Sequence, residues 1–197
     1  MRARFDKEAI EKLKLNEKYI SDKEKLQDIL IKQDFKSKKL YIEIGMGKGE
    51  FIINKALNDK DSIYIGIELC LPVLALAIKK INRFENENNI TLNNLYLMSF
   101  DALNINEILV NYNVDGIFLN FSDPWPKKNH AKRRLTNEKY LAEYKKVMKK
   151  NATIEFKTDN RGLFEYSLVS MQNFGLTFLE VYLDLHKTEV DNIVTEY

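Results

Sequence analysis

The chain has 197 residues with a net charge of +2, and 45% of them are hydrophobic against 30% charged. That balance excludes a disordered or fibrous chain and predicts one soluble globular domain, long enough to bury roughly 70% of its unfolded surface without staples. A single cysteine, Cys70, excludes an internal disulfide and a cysteine metal cluster, so a reducing compartment and no metal are expected.

The N-terminal residues 1–12 lack the apolar core of a signal peptide, and the longest apolar run, 69–78, is about half a membrane span. A cytoplasmic protein without membrane contact is therefore expected. Residues 5–20 carry only a weak, highly charged helical signal. Ser21-Asp22-Lys23-Glu24 reads as a capping box for a helix over 22–33, with Leu26, Ile29 and Leu30 at helical spacing. Residues 1–35 are expected to be a helical extension of the single domain 1–197.

A strand–helix alternation follows. The pattern predicts a strand over 40–44, a glycine turn over 45–49, a helix over 50–57 and a strand over 62–67. Pro72 suits the start of a long helix to about residue 86. A strand at 95–99, a short helix at 105–112 and a strand at 116–120 come next. Thr136 is expected to cap a helix to 150, before a strand at 152–157. Asn160 is expected to cap a helix to 173, followed by a strand at 176–183. Such alternation implies an α/β fold with a mostly parallel sheet and helices on both faces.

In such sheets ligands bind beyond the carboxyl ends of the strands. Glu43, Glu68, Asp101 and Asp123 fall at those ends, with Asp159 just past the fifth strand. Gly45, Gly47 and Gly49 form a G-x-G-x-G turn, whereas a dinucleotide site wants G-x-G-x-x-G and no carboxylate beside the phosphates. Glu43 directly before this turn suits a ligand with an ammonium group and no phosphate, such as S-adenosylmethionine. Glu68, 19 residues past Gly49, is placed to accept from ribose hydroxyls, and Asp101 lies where an adenine amino group would sit.

Residues 120–135, NFSDPWPKKNHAKRRL, form a stiff loop. Pro124 and Pro126 fix φ and remove two N–H donors, while Lys127, Lys128, Lys132, Arg133 and Arg134 supply five positive charges. Beside a strand-end site, that density points to RNA phosphates. Trp125 either stacks on a base or anchors the loop.

With these residues in place, the chain resembles the bacterial tRNA (guanine-N7)-methyltransferases, which modify guanosine 46 of the tRNA variable loop. The resemblance runs from about residue 40 to the C-terminus. It is carried by the turn after Ile42-Glu43, by Tyr64-Ile65-Gly66-Ile67-Glu68, by 120–134, by Phe156-Lys157-Thr158-Asp159-Asn160-Arg161 and by Thr195-Glu196-Tyr197. It implies a Rossmann-like class I methyltransferase in which Glu43, Glu68, Asp101 and Asp123 bind S-adenosylmethionine. Asp123 is also the implied active-site residue. Lys127, Asp159, Thr195, Glu196 and Tyr197 would bind the target nucleotide. Lys128, Asn129, His130, Lys132, Arg133 and Arg134 would contact tRNA. Either a monomer or a homodimer fits the family.

Three features depart from the family pattern. Phe5-Asp6-Lys7-Glu8 replaces a Lys-Pro-Trp-Ala-like segment, and Asn129 stands where arginine is common. The sequence also ends at Tyr197, so the final antiparallel strand is expected to be missing. That last feature keeps a non-catalytic RNA-binding remnant of the fold as the alternative. A nicotinamide dehydrogenase is disfavoured by Glu43 and the glycine spacing.

Overall fold

The computed structural model describes residues 6–187. In chain order the elements are α1 (Lys7–Leu15), β1 (Tyr19–Ile20), α2 (Lys23–Lys32), β2 (Leu40–Ile44), α3 (Glu50–Asn58), β3 (Ile63–Ile67) and α4 (Leu71–Asn88). Then come β4 (Leu95–Met98), α5 (Ile105–Leu109), β5 (Val114–Asn120), α6 (Glu138–Val147), β6 (Met148–Lys157) and α7 (Arg161–Phe174). The strands form one six-stranded sheet in the order β1-β4-β3-β2-β5-β6, and every pairing is parallel.

The two faces of the sheet differ in kind. Ile42, Ile44, Ile63, Ile65, Ile67, Ile117 and Leu119 point to one face and bury against α2, α5 and α6 residues such as Leu30, Ile108 and Leu141. Alternate positions point the other way, where Tyr64, Leu95, Leu97 and Phe118 meet α3 and α4. On that second face Gly66 and Gly116 leave room for larger neighbours. Tyr41 lies opposite Gly116 and stacks on Tyr64 with ring centroids 5.4 Å apart.

A Cβ at Gly66 would collide with the Met46 side chain and sit 3.0 Å from Leu97 Cδ2. Gly66→Ala is therefore expected to cost about 1–3 kcal/mol through overpacking, read as a lower urea midpoint at unchanged slope. A midpoint equal to that of wild type would show that Met46 moves aside freely.

Several boundaries differ from those expected. The weak 5–20 signal resolves into α1, which Asp6 caps by accepting from Ala9 N–H, followed by β1. β1 is too short to show a pattern in the sequence; it is held beside β4 by Lys18. The Lys18 ammonium is buried, donates to the Leu92 carbonyl at 2.7 Å and pairs with Glu85 at 3.0 Å. Asp22, not Ser21, caps α2, accepting from Lys25 N–H at 2.8 Å, so the expected capping box does not form. Asn137 caps α6, while Thr136 is buried with its hydroxyl 2.7 Å from that of Ser167 on α7. Asn160 caps α7 as expected.

No strand forms at 176–183. The helix α7 closes on left-handed Gly175, and Leu179, Val181 and Leu183 are exposed. Apolar alternation made this segment compatible with a strand, but a strand needs a hydrogen-bonding neighbour, and among the described residues β6 ends the sheet. The expected absence of a final antiparallel strand concerns residues that lie outside the described ones. Among the described helices, none is long and apolar enough to cross a membrane.

Candidate functional site

A cleft of about 350 Å³ opens at the carboxyl ends of β2, β3, β4 and β5. Its floor is the turn between β2 and α3. Gly45, Gly47 and Gly49 all adopt left-handed φ, at +72°, +56° and +80°, a conformation that costs other residues roughly 1–2 kcal/mol each. The Gly45 and Met46 N–H groups fold back onto the Ile67 carbonyl at 2.8 and 3.2 Å. A Cβ at Gly47 would meet nothing within 4 Å, so this part of the turn is a bare backbone surface. Glu68 clasps the turn from β3: its carboxylate accepts from Gly47 N–H at 3.2 Å and Cys70 N–H at 2.9 Å. Each oxygen keeps a lone pair for a ligand hydroxyl.

Glu43 is the deepest polar group. It lies opposite Gly66 on β3 and Phe118 on β5, on the face covered by α3, and is 2% exposed. Asn120, two residues beyond Phe118, emerges on the same face and donates to Glu43 Oε1 at 2.9 Å. Glu43 Oε2 and Asn120 Oδ1 are buried without hydrogen-bond partners, and both residues line the cleft. Burial pushes the Glu43 carboxyl up to about 8, opposed by the hydrogen bond from Asn120, by the nearby Ile52 backbone N–H and by the charge of Lys157. Two orphaned acceptors on a cleft wall need a donor to complete them. A cationic N–H group is the donor that would also favour the ionised carboxylate.

Asp123 follows β5 on a loop whose backbone is strained. After Asn120 the chain turns at Phe121, with φ +48°, and again at Trp125, with φ +41°. Trp125 precedes Pro126, a place that normally favours extended backbone. Such conformations persist where the surroundings over-determine them. Arg134 supplies that constraint: its guanidinium donates to the carbonyls of Pro124 at 3.1 Å and Trp125 at 3.0 Å. Arg133 lies over the Trp125 ring at 4.8 Å, and His130 meets that ring edge-on. Trp125 therefore has an anchoring arrangement within its own loop.

Of the expected ligand residues, Glu43, Gly45, Gly47, Glu68, Asp101 and Asp123 line this one cleft. Gly49 sits behind it as the N-cap of α3. Asp101 also accepts from Leu103 N–H at 3.0 Å, which starts a short helical turn. Lys127 and Asp159 are exposed but are not part of the cleft lining, and Thr195, Glu196 and Tyr197 lie outside the described residues. Lys128, Asn129, Lys132 and Arg133 are exposed on a helical turn, Lys128–Arg133, with His130 half-buried among them. Arg134 differs: it is 9% exposed. The sequence reading missed Asn120, Phe100 and Tyr140 on the cleft wall. Asn120 alone carried a signal, being a polar end to an apolar strand.

A family model described as "Putative methyltransferase" matches residues 37–197. The chain is 47% identical to the tRNA (guanine-N(7)-)-methyltransferase of Lactiplantibacillus plantarum, covering 82% of this chain and 74% of that protein. It is 48% identical to the protein of the same name from Levilactobacillus brevis, covering 80% of this chain and 72% of that one. Among solved structures, an antibiotic-related methyltransferase superposes with a TM-score of 0.57 at 23% identity, over 79% of this chain and 75% of that one, which shows a shared fold.

Proposed function

This chain belongs to the tRNA (guanine-N7)-methyltransferases, and from that premise we propose that it methylates N7 of guanosine 46 in the variable loop, through the cleft built around Glu43 and Asp123. It is an S-adenosylmethionine-dependent enzyme, and its residues fit that cofactor. The bare backbone at Gly47, the clasping carboxylate of Glu68 and the orphaned pair Glu43 Oε2 and Asn120 Oδ1 suit a ligand with ribose hydroxyls and an ammonium group. The orphaned pair is the single observation that carries the reading. Within this proposal Glu43 and Asn120 receive the ammonium, Glu68 the ribose, and Asp101 the adenine edge beside Leu69 and Phe100.

When bound, S-adenosylmethionine supplies an electrophilic methyl on a positively charged sulfur. Guanine N7 has an in-plane lone pair and no proton to lose, so no side chain acts as a general base. Asp123 instead faces the purine as it becomes positive, an electrostatic contribution that is strongest in a water-poor cleft. Its loop fixes the carboxylate by two prolines and two left-handed residues rather than by helix or sheet. Asp159, an acceptor when ionised, would pair with the two adjacent donors on the guanine Watson–Crick edge and so select against adenine. Lys127 and the segment 195–197 would complete the nucleotide site. The basic turn at 128–133 would receive phosphates and sugars of the tRNA backbone around a partly extruded base.

The same reading takes residues 1–35 as a helical extension of a single domain. α1 and α2 suit the helical part of that reading, while β1 between them joins the sheet beside β4 and ties the segment to the one domain. With tRNA as substrate, the cytoplasm is the proposed place of action. Incubation with unmodified tRNA and S-adenosylmethionine, followed by nucleoside digestion, is expected to yield 7-methylguanosine as the new modified nucleoside. Calorimetric binding of tRNA with no binding of S-adenosylmethionine would instead support the non-catalytic alternative.

A further inference from the structure

We infer that Arg134 and Tyr166 form a positioning pair that holds the Asp123 loop in its reactive shape, and that Arg134 is not one of the phosphate-binding cations. The inference rests on the proposed methyltransferase reading of this cleft and adds two residues to it.

Arg134 looks like the last of five loop cations, but its surroundings differ from those of the others. The Arg134 side chain points back under the loop. Its Nε donates to the Pro124 carbonyl at 3.1 Å and lies 3.3 Å from the Trp125 carbonyl, which also accepts from Nη2 at 3.0 Å. The far side of the guanidinium lies over the Tyr166 ring, 4.2 Å from its centroid. Tyr166 stands on α7, and its hydroxyl accepts from Asn137 Nδ2 at 2.8 Å. Asn137 in turn caps α6 by accepting from Lys139 N–H. The strained Pro124–Trp125 step is thereby tied, through one flat cation, to the N-terminus of α6 and to α7.

Pro124 directly follows Asp123, so these carbonyl bonds hold the two peptide planes that come immediately after the Asp123–Pro124 step. Proline at 124 and 126 removes the N–H groups that a loop normally uses to hold itself. The guanidinium replaces those bonds from outside. Its planar fork and stacking face suit two carbonyls and a ring, which a lysine ammonium cannot reproduce. Two roles then share one basic run: Lys128 and Lys132 are exposed, Arg133 is exposed but stacks over Trp125 at the cleft rim, and Arg134 faces the loop.

The test is steady-state kinetics and tRNA binding at several salt concentrations for wild type, Arg134→Lys, Arg134→Gln, Tyr166→Leu and Lys132→Gln. For Arg134→Lys, kcat is expected to fall about tenfold or more through lost alignment, while KM for tRNA and affinity for S-adenosylmethionine stay within about twofold. Arg134→Gln is expected to leave the slope of log K against log salt unchanged. Lys132→Gln is expected to flatten that slope by about 0.7–0.9 and to raise KM. Tyr166→Leu, on α7 and outside the basic turn, is expected to reproduce the kcat loss, and its combination with Arg134→Lys to be less than additive. Wild-type kcat in Arg134→Lys, or a flattened slope in Arg134→Gln, would overturn the inference. A wild-type enzyme that leaves tRNA unmodified would instead overturn the proposed function, a different result in the same assay.

Discussion

Asp123→Ala is expected to lower kcat by about 10²–10³-fold, the range seen when a preorganised electrostatic partner of a developing charge is removed. The reason lies in the reaction and in the loop together. Positive charge arises on a purine that gives up no proton, so a carboxylate in place beforehand stabilises the product-like charge without having to reorganise. The two left-handed residues, Phe121 and Trp125, and the prolines around Asp123 keep it there. Asp123→Asn keeps the size and loses the charge, so it should fall between wild type and alanine. Single-turnover rates at saturating tRNA and S-adenosylmethionine separate this loss from weakened binding. A rate within tenfold of wild type for Asp123→Ala would remove the electrostatic role.

Glu43→Gln should have opposite effects on stability and on cofactor binding. The folded Glu43 carboxyl titrates near 8, pushed up chiefly by burial from an ordinary value of 4.5. A raised carboxyl means that the folded state binds the proton more tightly than the unfolded state. Stability is then highest below the unfolded value, declines as pH rises from about 4.5 to about 8, and is flat above that. The decline amounts to an upper bound of about 5 kcal/mol. Glutamine cannot ionise, so the variant should lack the decline and be more stable than wild type at pH 9, with little difference at pH 4. Denaturant midpoints at the two pH values check this. Binding should respond in the other direction. The ionised carboxylate is what an ammonium needs, so wild-type affinity for S-adenosylmethionine should increase from pH 6 to pH 8 and level off, with a proton released on binding. Glu43→Gln should bind weakly and show neither trend. Equal pH dependence in the variant would place the titration elsewhere.

The two cases also show what a sequence can reveal. Glu43, Glu68, Asp101 and Asp123 were found as strand ends because a parallel α/β alternation fixes which ends share an edge. All four line one cleft. Asn120 escaped because its meaning depends on register: only the pairing of Glu43 with Phe118 shows that Asn120 shares a face with the buried acid. Arg134 reads as another cation in a basic run, since composition does not tell an exposed guanidinium from one turned inward to two carbonyls. β1 is two residues long and carries no period. The 176–183 segment carried the period of a strand without a neighbour to pair with. Local pattern was sufficient wherever the fold repeats a strand–helix unit. It failed wherever a partner distant in sequence decides the outcome.

The central claim, methyl transfer to guanine N7 in the variable loop, is tested most directly by chemical cleavage. Unmodified tRNA is treated with the enzyme and S-adenosylmethionine, then with borohydride and aniline, which break the strand at 7-methylguanosine. A single new break at guanosine 46, absent without cofactor and absent with Asp123→Ala, is the expected result. An intact strand, or a break at another position, would contradict the account.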